Sequence, residues 1–220
     1  SGLVTSEAGA TATFSLVLNA APTVDVTIDL SSSNPAEGSV APASVTFTTA
    51  NYNVAQIVTV TGVDDAVVDG TVAYLIITSA AMSASGPYNG LAVDDVSVSN
   101  TDNDVPSISV TPTTGLSTSE AGGTATFTVV MGTRPMADVT IAISSSNILE
   151  GTPSPNSLTF NAGNWNTPQT ITVTGVDDHV IDGDRQYTII TGNAVSADTH
   201  YNGLVVADVS ATNRTALRQG

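Results

Sequence analysis

Hydrophobic and polar residues alternate along much of the chain. Between residues 11 and 18 apolar side chains take every second position, with threonine or serine between them, and residues 24–30 alternate in the same way. A period of two is that of a β-strand with one buried and one solvated face. We therefore expect Phe14, Leu16 and Leu18 to face the core on one strand, and Val24 and Ile28 on the next. Further segments with strand character lie at residues 3–6, 44–48, 56–62, 72–78 and 93–100.

Residues that favour turns separate these segments. Pro22, Pro35, Gly38, Gly70 and Gly90 each follow a small or polar residue between two apolar stretches. About seven short strands in about 105 residues are typical of an immunoglobulin-like β-sandwich. The Cys–Trp–Cys core of antibody domains is excluded, because the chain has no cysteine. The predicted fold is all-β, built from antiparallel sandwiches of this kind.

The second half of the chain repeats the first. With an offset of 113 residues and no gap, 56 of the first 100 positions are identical, and the segment Thr59–Asp65 recurs unaltered as Thr172–Asp178. A period of this length indicates an array of whole domains. We therefore predict two tandem sandwiches, at residues 1–104 and 105–220, with a divergent C-terminal tail on the second.

The charge is strongly acidic, and its sign limits the partners. The chain has 20 acidic residues, four arginines, no lysine and a net charge of −16. Such a surface repels phosphate backbones and anionic lipids, so we expect no nucleic acid partner and a cation as the natural ligand. No apolar run reaches the roughly 20 residues that span a bilayer, which argues against membrane insertion. The absence of cysteine excludes a disulfide framework and thiolate ligation.

Acidic residues cluster after two of the predicted strands. Three aspartates follow the strand that ends near residue 63 and recur in the second copy, and two more follow the last strand of the first copy. These residues are Asp64, Asp65 and Asp69, with Asp177, Asp178 and Asp182 in copy two, and then Asp102 and Asp104. Both strands can deliver their C-terminal ends to one pole of a sandwich. The early turn that carries Glu7 could reach the same pole.

Carboxylates gathered at one pole favour a divalent cation, because their mutual repulsion is otherwise costly. Ca²⁺ takes six to eight oxygen ligands in flexible geometry, whereas Mg²⁺ demands strict octahedral sites and Zn²⁺ lacks an imidazole or thiolate cluster here. Two simpler interpretations stay open. The aspartates could form a solvated turn, and Glu7 and Glu120 could be polar residues beside a strand bulge.

Three motifs together resemble the Calx-β domain, which occurs in sodium–calcium exchangers and in bacterial surface proteins. They are the turn Ser6–Gly9, the run Thr59–Asp65 with a further aspartate at 69, and the closing run Asn100–Asp104. The resemblance covers essentially all of each copy. It implies a Ca²⁺ site at one end of the sandwich, with another acidic ligand near Glu37 across a shorter loop. The ligands that it implies in copy one are Glu7, Asp64, Asp65, Asp69, Asp102 and Asp104.

Copy two departs from this pattern at its end. The matching acidic residues are Glu120, Asp177, Asp178 and Asp182. However, Thr215 and Leu217 stand where copy one has Asp102 and Asp104. The predicted second site is therefore incomplete: either it binds ions weakly, or the natural chain was cut or altered here. The sequence also leaves open whether Glu37 and its counterpart Glu150 are ligands.

The sequence offers no catalytic constellation. There is no Gly-x-Ser-x-Gly motif, and neither His179 nor His200 has a histidine counterpart in copy one. Aspartates at adjacent loop positions suit metal ligation better than they suit flanking a glycosidic bond. We therefore expect that the protein is not an enzyme.

These features predict a monomeric, Ca²⁺-binding repeat that acts as a rigidifiable spacer or adhesion segment of a large secreted or cell-surface bacterial protein. A cell-surface glycan or protein receptor would be bound by other parts of that protein. Since no leader precedes residue 1, we expect a segment cut from a longer exported chain. Two alternatives stay open. One is a carbohydrate- or protein-binding module in which Trp165 and Tyr52 contact sugar; the other is a metal-free structural sandwich.

Overall fold

Every regular element of the structure is a β-strand in the residues that the computed structural model describes, which are 2–84, 86–180 and 182–215. The chain divides into two compact units: unit 1 ends at Asn103, and unit 2 begins at Asp104. Within the described ranges no helix could cross a bilayer. The predicted fold class, tandem all-β sandwiches, is confirmed.

Unit 1 is a sandwich of a large and a small sheet. The large sheet has the order β1-β9-β7-β3-β5, with β8 beside β3, and the small sheet has the order β2-β6-β4. The strands are β1 (Leu3–Ser6), β2 (Thr11–Leu16), β3 (Val26–Ser32), β4 (Gly38–Ala41), β5 (Ser44–Phe47), β6 (Gln56–Gly62), β7 (Val72–Thr78), β8 (Met82–Ser83) and β9 (Val96–Thr101).

The core of unit 1 lies between the inner faces of these sheets. Val26 and Ile28 point inward from β3, and Val58 and Val60 do so from β6, all with almost no exposure, in one continuous apolar cluster. Burial of each such side chain contributes roughly 1.5–3 kcal/mol, so this cluster is the main source of stability. The inward position predicted for Val24 is wrong, because β3 begins only at Val26 and Val24 is 37% exposed.

Unit 2 repeats both sheets and adds a strand to the small one. Its large sheet has the order β11-β19-β17-β13-β15, with β18 beside β13, and its small sheet has the order β10-β12-β16-β14. The strands are β10 (Ile108–Thr111), β11 (Leu116–Ser119), β12 (Thr124–Met131), β13 (Val139–Ser145), β14 (Gly151–Ser154), β15 (Ser157–Phe160), β16 (Gln169–Gly175), β17 (Arg185–Thr191), β18 (Val195–Ser196) and β19 (Val209–Arg214).

Two short strands of unit 1 were not predicted by the alternation of hydrophobic and polar residues. β4 begins at Gly38, which the sequence places in a turn, and β8 has only two residues. Neither has enough alternating apolar residues to show a period of two, so pairing with β6 and β3 determines their conformation. The prediction of purely antiparallel sheets also needs correction, because β1 runs parallel to β9 and β11 parallel to β19.

One pole of unit 1 collects several strand ends. The parallel pairing of β1 with β9 sets Ser6 beside Thr101, and the antiparallel pairing of β4 with β6 sets Gly38 opposite Gly62. The turn after β1, the loop after β6 and the segment after β9 therefore leave from the same pole. Unit 2 has the same registers at its corresponding pole.

Candidate metal centre

A buried asparagine organises the pole of unit 1. Asn100, at the end of β9, is 1% exposed. Its side-chain amide donates to Oε2 of Glu37 at 3.3 Å and to the carbonyl of Val63 at 3.0 Å, and its Oδ1 accepts from Oγ1 of Thr5 at 3.0 Å. Since Val63 directly follows β6, these bonds tie the loop after β6 to β9. They also hold the Glu37 carboxylate at the pole.

Glu37 belongs to an acidic group with two aspartates of that loop. One carboxylate oxygen from each of Glu37, Asp65 and Asp69 lies within 4.8 Å of the others. Glu37 is 5% exposed, Asp65 is half-buried and Asp69 is exposed. Two oxygens bound to one Ca²⁺ lie at most about 5 Å apart, because each Ca²⁺–oxygen distance is about 2.3–2.6 Å. The three side chains therefore fit a single ion.

These carboxylates repel one another. Burial, and then the charge of Glu37 followed by that of Asp65, raises the pKa of Asp69 above its ordinary value. A cation bound among the three oxygens removes that repulsion. Residues 1–103 contain ten acidic residues and no lysine, arginine or histidine. No side chain of unit 1 can therefore supply the cation.

In a second acidic group, carboxylate oxygens of Glu7 and Asp102 lie within 4.8 Å of each other, and Asp104, the residue with which unit 2 begins, follows two positions later in the chain. Glu7 is 4% exposed, and its Oε2 accepts the backbone N–H of Asn103 at 3.0 Å. Burial raises the pKa of Glu7 to about 7, opposed by the Asn103 N–H and reinforced by the charge of Asp102. This carboxyl therefore exchanges its proton near neutral pH.

Asp102 also shapes the loop after β6. Its Oδ2 accepts the backbone N–H groups of Asp69 at 3.0 Å and Gly70 at 2.8 Å. Asp64 is exposed, and its Oδ1 accepts a hydrogen bond from Nδ2 of Asn103 at 3.4 Å; it lies outside the acidic groups found among the described residues. Within unit 1 the structure thus gathers four of the six residues predicted for copy one into two groups and leaves Asp64 at the rim.

Unit 2 repeats the first of these groups. Carboxylate oxygens of Glu150, Asp178 and Asp182 lie within 4.8 Å of one another, and Glu150 is 6% exposed. Asn213, the counterpart of Asn100, donates to Oε2 of Glu150 at 3.2 Å and to the carbonyl of Val176 at 2.9 Å. The buried hydrogen bonds that position the acidic group are therefore the same in both units.

An arginine joins the acidic group of unit 2. Arg185 Nε donates to Oδ2 of Asp182 at 2.5 Å. The hydrogen bond to Asp182, together with its charge, raises the pKa of Arg185, so the guanidinium is a permanent cation. The Arg185 side chain is 55% exposed, and exposed ion pairs of this kind are weak. Val72 occupies the same position in unit 1.

The other residues predicted for copy two are not part of this group. Glu120 is half-buried, and its backbone N–H donates to the carbonyl of Arg214 at 3.1 Å. Asp177 is exposed, and its Oδ1 accepts the backbone N–H of His179 at 2.8 Å. Thr215 donates its N–H to Asp184 at 3.3 Å, and Leu217 lies outside the described residues. The second acidic group of unit 1 has no counterpart in the described part of unit 2.

Glu37 and Glu150 are the most buried members of the shared group, and the sequence left their role open. Each is the one acidic residue between strands β3 and β5 or β13 and β15, and each precedes a glycine. A Cβ at Gly38 or Gly151 would collide with the ring of Tyr74 or Tyr187, so the glycine is required for packing. The sequence offered one signal for these glutamates, which is that the Glu-Gly pair is identical in both copies.

Trp165 is half-buried and packs against the core of unit 2. Its backbone carbonyl accepts the N–H of Met131 at 3.1 Å, and the carbonyl of Tyr52 accepts the N–H of Leu18 at 2.9 Å in unit 1. The packing of Trp165 against the core favours a structural role for its side chain over contact with sugar.

Several solved structures are similar to this chain in architecture. The CBD12 region of CALX1.2 is 13% identical, with 98% of this chain and 97% of that one covered and a TM-score of 0.41. Domains 4 and 5 of the S-layer protein SbsC are 17% identical, with 86% and 76% covered and a TM-score of 0.35. The periplasmic chaperone SfaE is 12% identical over 52% of this chain and 59% of its own length, with a TM-score of 0.40. At such identities the likeness concerns the fold alone. No family model and no curated protein matches the sequence.

Proposed function

We propose that the chain is a pair of non-catalytic Ca²⁺-binding modules from a large secreted or cell-surface bacterial protein. One observation carries the proposal: each unit sets a buried glutamate and two aspartates at the same pole, with oxygens within 4.8 Å of one another. In each unit a buried asparagine fixes the glutamate. A solvated turn has no need of a buried carboxylate held in this way.

The chemistry of the donors favours Ca²⁺ over other metals. All three donors of each group are carboxylate oxygens, which suit Ca²⁺ and Mg²⁺ and do not suit zinc or copper. The two aspartates of each group lie on a loop and are at least partly solvated. Such a site adapts to the variable coordination of Ca²⁺ more easily than to the strict octahedron of Mg²⁺.

The two units differ in the number of ions that we assign to them. In unit 1 the group Glu37, Asp65 and Asp69 takes one ion, and Glu7 with Asp102 provides ligands for another. In unit 2 the group Glu150, Asp178 and Asp182 takes one ion. At a hundredfold excess of Ca²⁺ over its dissociation constant, binding to the folded state alone adds about 2.7 kcal/mol of stability. Extracellular modules bind Ca²⁺ with dissociation constants on the order of 10⁻⁴ to 10⁻³ M, which matches a secreted or surface location.

The same binding supports a spacer role. Asp102 and Asp104 belong to the segment of the chain that joins the two copies, so an ion that they ligate would order that segment. We therefore assign the chain to a spacer or adhesion segment that is stiff in Ca²⁺ and flexible without it. X-ray scattering of the monomer tests this: the maximum dimension increases with Ca²⁺ and decreases again on chelation.

Titration calorimetry of the full chain tests the metal sites. Wild type gives Ca²⁺ binding heat from both units, and its melting temperature rises with Ca²⁺. Asp65→Asn/Asp69→Asn removes the heat of the ion assigned to Glu37, Asp65 and Asp69 in unit 1, and Asp178→Asn/Asp182→Asn removes that of the ion assigned to unit 2. The matched control is Asp25→Asn/Asp29→Asn, which makes the same charge change at two exposed positions outside the acidic groups.

Two outcomes would contradict the proposal. One is a wild-type chain with no Ca²⁺ heat and no change in melting temperature. The other is equal loss of binding in the control and in the site variants, which would show only a diffuse effect of net charge.

A further inference from the structure

The outer face of the small sheet of unit 2 is built mainly from threonine. Strands β12 and β16, at the centre of this sheet, each place three threonines outward at alternate positions, and the residues between them, such as Phe127 and Ile171, are buried in the core. Strands β14 and β10 add three more hydroxyl side chains, and Val130 ends the pattern on β12. We call nine of these residues the hydroxyl array: Thr111, Thr124, Thr126, Thr128, Thr152, Ser154, Thr170, Thr172 and Thr174.

Strand pairing sets the array in three rows across the sheet. The first row contains Thr152, Thr174 and Thr124, the second Ser154, Thr172 and Thr126, and the third Thr170, Thr128 and Thr111. Neighbouring strands lie about 4.8 Å apart, and successive outward residues of one strand are about 6.8 Å apart. Because threonine is branched at Cβ, its hydroxyl and methyl groups take few orientations. The array is therefore a regular two-dimensional arrangement of hydroxyl and methyl groups.

The array carries no charge, and its hydroxyl groups face solvent. The chain has 20 acidic residues and four arginines, yet none of them lies in the four strands of this sheet. Thr128 donates to the backbone carbonyl of Thr111 at 3.3 Å, which is the one hydrogen bond from an array side chain to the described part of the protein. The other hydroxyl groups can therefore bond to a ligand.

Unit 1 has the same face in a less complete form. Four threonines of the array are also threonines in unit 1, and four other positions differ between the copies. At each of those four, unit 2 has threonine in place of serine or a hydroxyl side chain in place of an alkyl one. The pairs, unit 1 first, are Ser15 and Thr128, Ser39 and Thr152, Ala41 and Ser154, and Ile57 and Thr170. Strand propensity does not account for this difference, because isoleucine favours strands as threonine does.

A periodic array fits a ligand that is itself periodic. Ice presents its oxygen atoms in a regular lattice, and the repeats of hexagonal ice along its a and c axes lie within about a tenth of the two spacings of the array. A threonine hydroxyl both donates and accepts, so it can bond to lattice water, and the methyl groups beside it favour contact over exposure to liquid water. The lattice is also neutral, as the array is. Since adjacent strands are rotated by roughly 20–25°, the closest match is on β12 and β16, the pair with six threonines.

We propose that the hydroxyl array of unit 2 binds the surface of ice. The threonines of β12 and β16 form the centre of the contact, and the hydroxyl residues of β14 and β10 extend it to both sides. Binding is independent of Ca²⁺, because no acidic residue takes part. This activity is therefore separate from the metal-binding function proposed above, and either can fail without the other.

Uptake of the full chain into slowly grown ice tests the proposal, since slow growth excludes proteins that do not bind the lattice. We expect the wild-type chain to enter the ice and to slow its recrystallisation, both in Ca²⁺ and in chelator. Thr126→Lys/Thr172→Lys places two charged side chains opposite each other in the middle row and should abolish uptake. The matched control is Thr140→Lys/Thr159→Lys, the same change at an opposed, exposed pair on the large sheet of unit 2. The control should enter ice as wild type does.

A milder variant keeps the test valid if the lysines disturb folding. Ser154→Ala/Thr170→Ile gives unit 2 the residues that unit 1 has at the equivalent positions, so the fold accommodates both. Uptake into ice should fall without being abolished, at an unchanged melting temperature. The proposal is overturned if the wild-type chain is excluded from ice, or if both lysine variants enter ice equally. It is also overturned if sedimentation shows a dimer that Thr126→Lys/Thr172→Lys dissociates, since the face would then belong to a second copy.

Discussion

The two units have nearly the same acidic pole, but they differ in the basic side chains that could neutralise it. Unit 1 has ten acidic residues and no basic side chain, whereas unit 2 has ten acidic residues, four arginines and two histidines. Arg185 contacts Asp182 in unit 2, and in unit 1 the equivalent residue is Val72. A side-chain cation of unit 2 can partly neutralise the second pole, whereas unit 1 has no basic side chain of its own to neutralise the first.

What the units share is the buried part of the pole. Asn100 and Asn213 are each 1% exposed and make the same three kinds of contact, to a threonine, to a glutamate and to a backbone carbonyl. The units therefore differ in the charges at the rim and agree in the polar hydrogen bonds beneath. Substitutions in the buried part should affect both units alike, and substitutions at the rim should separate them.

The largest effect is expected at the shared asparagines. Asn100→Ala leaves Glu37 and the Val63 carbonyl without a buried donor, which costs about 2–4 kcal/mol of unfolding free energy. Asn213→Ala should cost unit 2 a similar amount. Urea unfolding of the full chain in chelator, followed by NMR signals of each unit, measures both. Asn53→Ala, at an exposed position, is the control. A loss under about 1 kcal/mol would show that the hydrogen bonds of the pole are not structurally important.

The second effect concerns pH and is confined to unit 1. The pKa of Glu7 rises from an ordinary value of 4.5 to about 7 in the folded state, mainly through burial. A carboxyl with a raised folded pKa stabilises the protein fully below its unfolded pKa. That stabilisation is lost as pH rises through about 7. Unit 1 in chelator should therefore lose stability between these two pH values.

Calcium reverses this dependence, because the ion must displace the Glu7 proton. Affinity at the Glu7 group should rise by up to about tenfold per pH unit below pH 7 and level off above it. Calorimetry in buffers of different ionisation enthalpy measures the released proton. Glu7→Gln should abolish the dependence. If it persisted in that variant, another group would carry the proton.

Much of the fold was predictable because its signals are local. The alternation at 11–18 and 56–62 and the repeat at an offset of 113 define two β-sandwiches without any knowledge of pairing. β4 and β8 were not predictable, because their neighbours rather than their own residues determine their conformation. Parallel pairing of β1 with β9 depends on contacts between residues more than 90 positions apart, which no local period encodes.

The aspartates of the candidate site were predictable from the sequence, whereas the prediction of its glutamates was incomplete. Asp65, Asp69 and Asp102 stand out because carboxylates cluster beside strand ends. Glu37 stands alone in the sequence, and its place in the group, with its carboxylate accepting a hydrogen bond from Asn100, is seen only in the structure. Asp64 shows the opposite case: its place in the acidic run suggests a ligand, but the carboxylate that lies in the group is that of its neighbour Asp65. Whether each of these residues binds Ca²⁺ stays a prediction.

A smaller effect is expected from exchange of Arg185 and Val72. Arg185→Val removes the cation that competes for Asp182, so Ca²⁺ affinity of unit 2 should rise by about three- to fivefold at low salt. Val72→Arg should lower the affinity of unit 1 by a similar factor. Calorimetry at two NaCl concentrations measures both, and the differences should shrink at high salt. Unchanged affinities would mean that the ion pair does not occupy the metal position.

The smallest effect is expected from Thr215→Asp, which restores the counterpart of Asp102. In unit 1 the Asp102 carboxylate accepts the N–H groups of Asp69 and Gly70 and so closes the loop. Among the described residues the buried Oγ1 of Thr215 has no hydrogen bond. A carboxylate there can accept the equivalent N–H groups and adds negative charge, so Ca²⁺ affinity of unit 2 should rise by about two- to threefold. Ser210→Asp adds the same charge at an exposed strand position. Equal gains in both variants would mean that net charge alone sets the affinity, and that the loop contact made by Asp102 in unit 1 has no part in it.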